Sequence, residues 1–147
     1  MGLRRKGREI ALQTLYSLEY LETDSYLKEL GWLEKYKEKM AEICEDNHIE
    51  TDSKICEFAA SIIEGIIPNL DVIDENIGSH STNWSIDKIA NLDKCLLRIA
   101  TYEMLFTQTP PPIVMDEAIE IAKKFCAESS SKFINGILNA IAKEKDE

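Results

Sequence analysis

Cysteine, histidine and carboxylate supply most of the chemistry open to a protein chain, and this sequence holds all three. Its four cysteines, Cys44, Cys56, Cys95 and Cys126, stand 12, 39 and 31 residues apart, and no two form a CxxC pair. The two histidines, His48 and His80, are too few and too scattered to complete a zinc set. The spacing reads as free thiols packed as small apolar groups, so neither a metal nor a cofactor is expected. No histidine lies near Cys95 or Cys126 in sequence to suggest a thiolate dyad. Walker A, GxGxxG, HExxH and GxSxG patterns are all missing from the sequence,. The carboxylates fall where the solvated faces of helices should be. The residues therefore point to a chain that is not an enzyme.

Binding chemistry remains. The stretch "LRRKGRE" carries Arg4, Arg5, Lys6 and Arg8, while the whole chain has 17 Lys+Arg against 27 Asp+Glu and a net charge of −10. Removing these four leaves 13 basic side chains against 27 acidic ones. If a helix runs back through the cluster, Arg4 and Arg8 share one face, and the four could straddle a phosphate backbone. A solvated terminus that serves solubility explains the same charge. A second patch, "AKKFCAESSSKFING", puts Lys123 and Lys124 before a turn and Lys132 after it. Ser129, Ser130 and Ser131 lie between, at a helix N-terminus whose N–H groups and hydroxyls can receive a phosphate oxygen. Phe133 falls on the flank of the helix. It reads either as a cap on the core or as a platform for stacking an RNA base.

These residues need elements to hold them, and the periodicity is helical nearly throughout. Residues 8–22 carry Ala11, Leu12, Leu15, Tyr16 and Leu18 at spacings of three and four,. Residues 26–45 continue the pattern with Leu30, Leu33, Met40 and Ile43. A strongly apolar stripe from Ile55 to Ile66 ends at Pro68, and Asn69 is placed as the N-cap of a short helix. The turn-rich "GSHSTNW" separates the two halves. Leu92, Leu96, Ile99 and Ala100 line the next helix. Pro112 suits the first position of the helix after it, and Ser129 or Ser130 caps the last. Gly136 in mid-helix suggests close contact with a neighbouring helix. Strand signals are absent from the sequence. The expected fold is all-α, a bundle of about seven helices in two small helical subdomains that break near residues 79–85, within one domain spanning 1–147.

The length of 147 residues with 44% hydrophobic and 30% charged side chains suits one domain with its own core. No apolar run approaches the roughly 20 residues that span a bilayer. Glu9, Gln13, Thr14 and Glu19 interrupt any apolar segment behind the basic start, so no signal peptide is expected. A cytoplasmic location without membrane contact follows as an expectation.

Three stretches together resemble a known family: "RRKGREIALQTLYSLEY", "LDKCLLRIATYEML" and "PPPIVMDEAIEIAKKFCAESSSKFINGIL". They are similar to the NusB family of bacterial transcription antitermination proteins, in which an "NEAIELAK" helix precedes a short turn and "KFVNGVL". The resemblance spans residues 4–143 and is weaker across 23–75. It implies an all-helical, non-enzymatic protein that pairs with the ribosomal protein NusE. The pair binds boxA single-stranded RNA of nascent transcripts, notably ribosomal RNA leaders. With other Nus factors it helps the RNA polymerase elongation complex read through terminators. The family's basic motif maps onto Arg4, Arg5, Lys6 and Arg8, and its RNA-facing Lys-Phe maps onto Lys132 and Phe133. The family's partner-facing surface, on the first and central helices, maps onto Tyr16 and Asp93, with Glu103 as a further candidate.

The sequence departs from the family at the turn. Ser129 and Ser131 stand where relatives carry an acidic residue and a histidine, and Cys126 replaces a glycine. Removing a carboxylate near phosphates eases repulsion, while removing a histidine loses a donor, so a small net effect is expected. Two other readings compete. One is a helical protein-interaction domain with an incidental basic tail. The other is a module like the N-terminal domain of ribosomal RNA cytosine methyltransferases, for which the chain has no catalytic domain. Neutralising Arg4, Arg5, Lys6 and Arg8 together is expected to abolish RNA binding and spare the fold.

Overall fold

The computed structural model describes residues 2–21, 28–81 and 85–146. Among them are seven α-helices and two short 3₁₀ turns, with no strand. The chain packs as two units, Met1–Asn69 and Leu70–Glu147. The division falls at the end of a 3₁₀ turn, about ten residues ahead of the 79–85 stretch where composition places it. Within that stretch, residues 82–84 lie outside the described residues.

In the first unit, α1 (Gly2–Glu19) begins six residues earlier than its apolar stripe. The basic cluster is therefore helical, and Arg4 and Arg8 do share a face. Helix α1 packs on both α2 (Lys28–Asp46) and α3 (Lys54–Ile66). Gly7 makes the α1–α3 approach possible: a Cβ there would sit 2.7 Å from Phe58 Cδ2 and 3.2 Å from the Ile55 carbonyl oxygen. Helix α2 ends in a Schellman motif. The Ile49 N–H donates to the Cys44 carbonyl at 2.8 Å, and His48 takes the left-handed position at φ 58°,. His48 thus has a conformational task. Helix α3 starts where Ser53 Oγ accepts from the Cys56 N–H. It ends at Ile66, just ahead of Pro68, as expected. The chain tightens into a 3₁₀ turn, Ile67–Asn69, and runs directly into the next helix. Asn69 is no N-cap, because its side chain donates back to the Gly65 carbonyl at 2.8 Å.

In the second unit, α5 (Asn91–Phe106) packs against α4 (Leu70–Ser79), α6 (Pro111–Phe125) and α7 (Ser130–Asp146). A helix with three neighbours has little solvated face, and α5 buries even Asp93, Lys94, Arg98, Thr101 and Glu103. Arg98 is 1% exposed and meets Asp74 of α4 through two bonds of 2.8 Å, the bidentate geometry a guanidinium offers a carboxylate. His80 bonds Glu144 of α7 and lies 2.7 Å from the Asn76 carbonyl. A 3₁₀ turn, Ile86–Lys88, leads into α5. Helix α6 opens at Pro111, so Pro112 is its second residue. Gly136 lies on an exposed face with open space about it, and the close helix contact expected there is absent.

Candidate nucleic-acid interface

The first candidate patch lies on the opening turns of α1. Arg4 is exposed, Arg5 and Lys6 are half-buried and Arg8 is buried. The Arg4 and Arg8 guanidinium carbons lie 5.3 and 5.4 Å from the centre of the Phe58 ring, within the range of cation–π attraction. Lys6 Nζ donates to Asn47 Oδ1 at 3.2 Å and sits 3.5 Å from Glu9 Oε1. Asn47 in turn donates to the Ile43 carbonyl at 2.7 Å, so the end of α2 fixes the partner that fixes Lys6. These cations are held by aromatic and amide neighbours, which a frayed terminus would not provide. Arg8 is 4% exposed, so it serves the packing of α1 on α3. The expectation that all four cations can be neutralised without harm to the fold is corrected on that ground.

The second patch lies in the other unit, where α6 gives way to α7. A groove of about 300 Å³ is lined by Lys88, Ile89, Ala90, Asp93, Ser129, Ser130 and Phe133. Phe133 is half-buried, while Ser129 and Lys132 are exposed. Ser130 is 5% exposed, and its hydroxyl donates to Asp93 Oδ2 at 2.9 Å. That hydroxyl is therefore spent inside the protein. The N–H groups of the first turn of α7 lack intrahelical acceptors by rule, and the helix dipole favours an anion there. The Cys126 thiol also meets Asp93. Burial first, and then the Asp93 charge and hydrogen bond, push its pKa up to about 12. Lys123 pairs with Glu120 at 3.5 Å, and Lys124 lies 5.4 Å over the Phe125 ring.

The residues mapped to a protein partner divide in the same way. Tyr16 is half-buried and its hydroxyl meets that of Tyr20 at 2.8 Å, with the rings edge to face at 5.1 Å. Tyr20 itself is 61% exposed. Asp93 and Glu103 are buried, and a buried side chain acts on a surface only through the neighbours it holds. Sequence reasoning passed over Gly7, Asn47 and Tyr20, and read Phe58 only as part of the apolar stripe from Ile55 to Ile66. A glycine between Lys6 and Arg8, inside a basic helical run, was the available signal for the first.

Among the described residues no group of three or more His, Cys, Asp or Glu side chains is arranged to hold a metal ion, and no helix is long and apolar enough to cross a membrane. The fold and both patches define an all-helical domain whose candidate sites are surfaces of cations, hydroxyls and aromatic rings. Known proteins narrow that class. The NusB family profile matches residues 5–143. A transcription antitermination protein NusB of Thermodesulfovibrio yellowstonii is 41% identical over 143 residues, covering 97% of this chain and 93% of the relative. One from Elusimicrobium minutum is 41% identical over 147 residues, covering 99% and 96%. A solved structure of T. maritima NusB superposes with a TM-score of 0.78 at 37% identity, over 96% of this chain and 91% of that one. A crystal structure of the antitermination factors NusB and NusE in complex with dsRNA gives 0.80 at 25% identity, over 98% of each chain. The chain belongs to the NusB family.

Proposed function

We propose that this chain is a transcription antitermination factor that binds boxA single-stranded RNA of nascent transcripts, ribosomal RNA leaders among them, together with ribosomal protein NusE. It acts by binding and catalyses no reaction. The observation that carries the reading is the groove at the start of α7, where half-buried Phe133 lines the wall with exposed Ser129 and with Lys88, and exposed Lys132 precedes Phe133 in the chain. An aromatic face, a cation and a helix N-terminus in one place suit an unstacked base and its phosphate. The cations of α1 supply a further phosphate-binding surface. Tyr16 and its exposed neighbour Tyr20 face NusE, and in the second unit Asp93 and Glu103 serve NusE binding through the neighbours they hold. The acidic remainder of the chain repels RNA elsewhere and attracts a basic ribosomal protein. With the other Nus factors, the complex rides on RNA polymerase in the cytoplasm and promotes read-through.

Fluorescence anisotropy with boxA RNA and a scrambled control, with and without NusE, tests this directly. A boxA duplex belongs in the same series, because the related NusB–NusE complex contains dsRNA. The expected order is single-stranded boxA above scrambled RNA, with NusE raising affinity. Phe133→Ala should cost about 1–3 kcal/mol of binding, the usual worth of one stacked base. Equal affinity for boxA and scrambled RNA, unmoved by NusE, would leave only the protein-interaction reading.

A further inference from the structure

Beside the first turn of α1 lies a groove of about 380 Å³, lined by Leu3, Arg4, Lys54, Glu57 and Phe58. Arg4 belongs to the basic cluster, but Lys54 comes from the first residue of α3, 50 positions later in the chain. Lys54 is exposed, and no carboxylate among the described residues pairs with it. Phe58, one turn further along α3, gathers both Arg4 and Arg8 against its ring at 5.3 and 5.4 Å. Gly7 permits that contact, since any side chain there would meet Phe58. Long basic side chains ordinarily surrender much freedom on binding, and prior packing reduces what is lost.

We propose that this groove continues the RNA path, with Lys54 contacting a phosphate next to the one that Arg4 meets, and Phe58 acting as the positioning residue that presents Arg4. The inference rests on the RNA-binding reading above. Glu57 lines the same groove and opposes it, because its carboxylate repels the phosphate that Lys54 attracts. A polyanion following α1 alone would not need Lys54, whereas one crossing to α3 meets Lys54 and Glu57 together.

The test is the salt dependence of single-stranded boxA RNA binding by the full chain. On single strands each phosphate contact contributes roughly 0.7 to the log–log slope. Lys54→Gln should weaken binding about 3- to 10-fold and reduce the slope by roughly 0.7. Lys35→Gln, on an exposed lysine of α2, removes the same charge elsewhere and should leave the slope unchanged. Glu57→Gln should tighten binding roughly twofold or more by removing the repulsion. Phe58→Leu should weaken binding and lower the slope, and Phe58→Tyr, which keeps the ring, should restore both. An unaltered slope in Lys54→Gln, or equal losses in Lys54→Gln and Lys35→Gln, overturns the groove while leaving the RNA reading intact. Wild-type protein with no salt-dependent binding overturns the RNA reading itself.

Discussion

Ser130 and Asp93 stand 37 residues apart and are joined by a hydrogen bond of 2.9 Å, hydroxyl to carboxylate, with both side chains buried. The bond ties the first residue of α7 to the first turn of α5. Phe133 and Lys132 follow within one turn of that anchor, so their placement depends on it. Ser130→Ala leaves a buried carboxylate short of a donor, at a cost of about 1.5–3 kcal/mol. Urea denaturation checks this, with an unchanged m-value expected. RNA affinity should fall as well, although Ser130 is buried, because Phe133 loses its fixed start.

Gly7→Ala pits helix propensity against packing. Alanine is favoured over glycine inside a helix by about 1 kcal/mol. Against that, the new methyl would lie 2.7 Å from Phe58 Cδ2 and 3.2 Å from a backbone oxygen. The ring can shift, but the Ile55 carbonyl is held in α3. Overpacking of this kind costs about 1–3 kcal/mol, so net destabilisation is expected by thermal melting. Gly136→Ala has open space instead, and should raise stability by a few tenths to about 1 kcal/mol.

Arg98 is 1% exposed and meets Asp74 through two 2.8 Å bonds. Removing one partner strands the other charge. Asp74→Ala should cost about 3–5 kcal/mol, less to the extent that Asp74 reaches solvent at its rim. Calorimetric melting of the variant checks the magnitude. A loss below about 1 kcal/mol would mark the pair as a surface bridge.

The thiols set the alkaline limit. Cys126 and Cys44 are pushed up to about 12 from 9.0, in each case mainly by burial, with Asp93 and Cys56 respectively as the next contributors. Tyr36 is raised to about 12 from 10.0 by burial and its bond to Glu64. A raised acid is protonated in the fold and ionises sooner when unfolded. Its stabilisation is therefore complete below the unfolded value and fades as pH climbs to the folded one. Urea midpoints should hold steady up to about pH 9 and fall between about 9 and 12. At pH 8, iodoacetamide should label Cys126 at least tenfold more slowly than a free thiol, since the thiolate is the nucleophile. Asp93→Asn should speed that labelling.

The helical class was legible because apolar spacing repeats over whole helices, from Leu12–Leu15–Leu18 to Ile134–Ile137–Leu138–Ile141, all of them buried. Boundaries were less so. Helix α1 starts at Gly2 because Gly7 and Phe58 hold its polar first turns, a contact between residues 51 positions apart that no local pattern encodes. Helix α3 does end just ahead of Pro68, at Ile66, but the 3₁₀ turn that carries the chain straight into α4 was not legible, since a proline at a helix junction loses little when the preceding bonds are already complete. For the candidate sites, residue type told which side chains were cationic or aromatic, and burial told what each could touch. Arg8, Ser130, Asp93 and Glu103 read as surface groups by type and are buried by topology. Lys54 joined Arg4 only through the packing of α3 on α1.

Arg4 is exposed and Arg5 half-buried, so they can be neutralised with less damage than Arg8. The decisive measurement is the salt dependence of boxA RNA affinity for wild type and for the Arg4→Gln, Arg5→Gln double variant, with folding checked by circular dichroism. Wild type should show a log–log slope of roughly −2 to −3, and the double variant should lose roughly 1.4 of it, two phosphate contacts' worth. A wild-type response that is flat in salt and equal for boxA and scrambled RNA would contradict RNA binding by this chain.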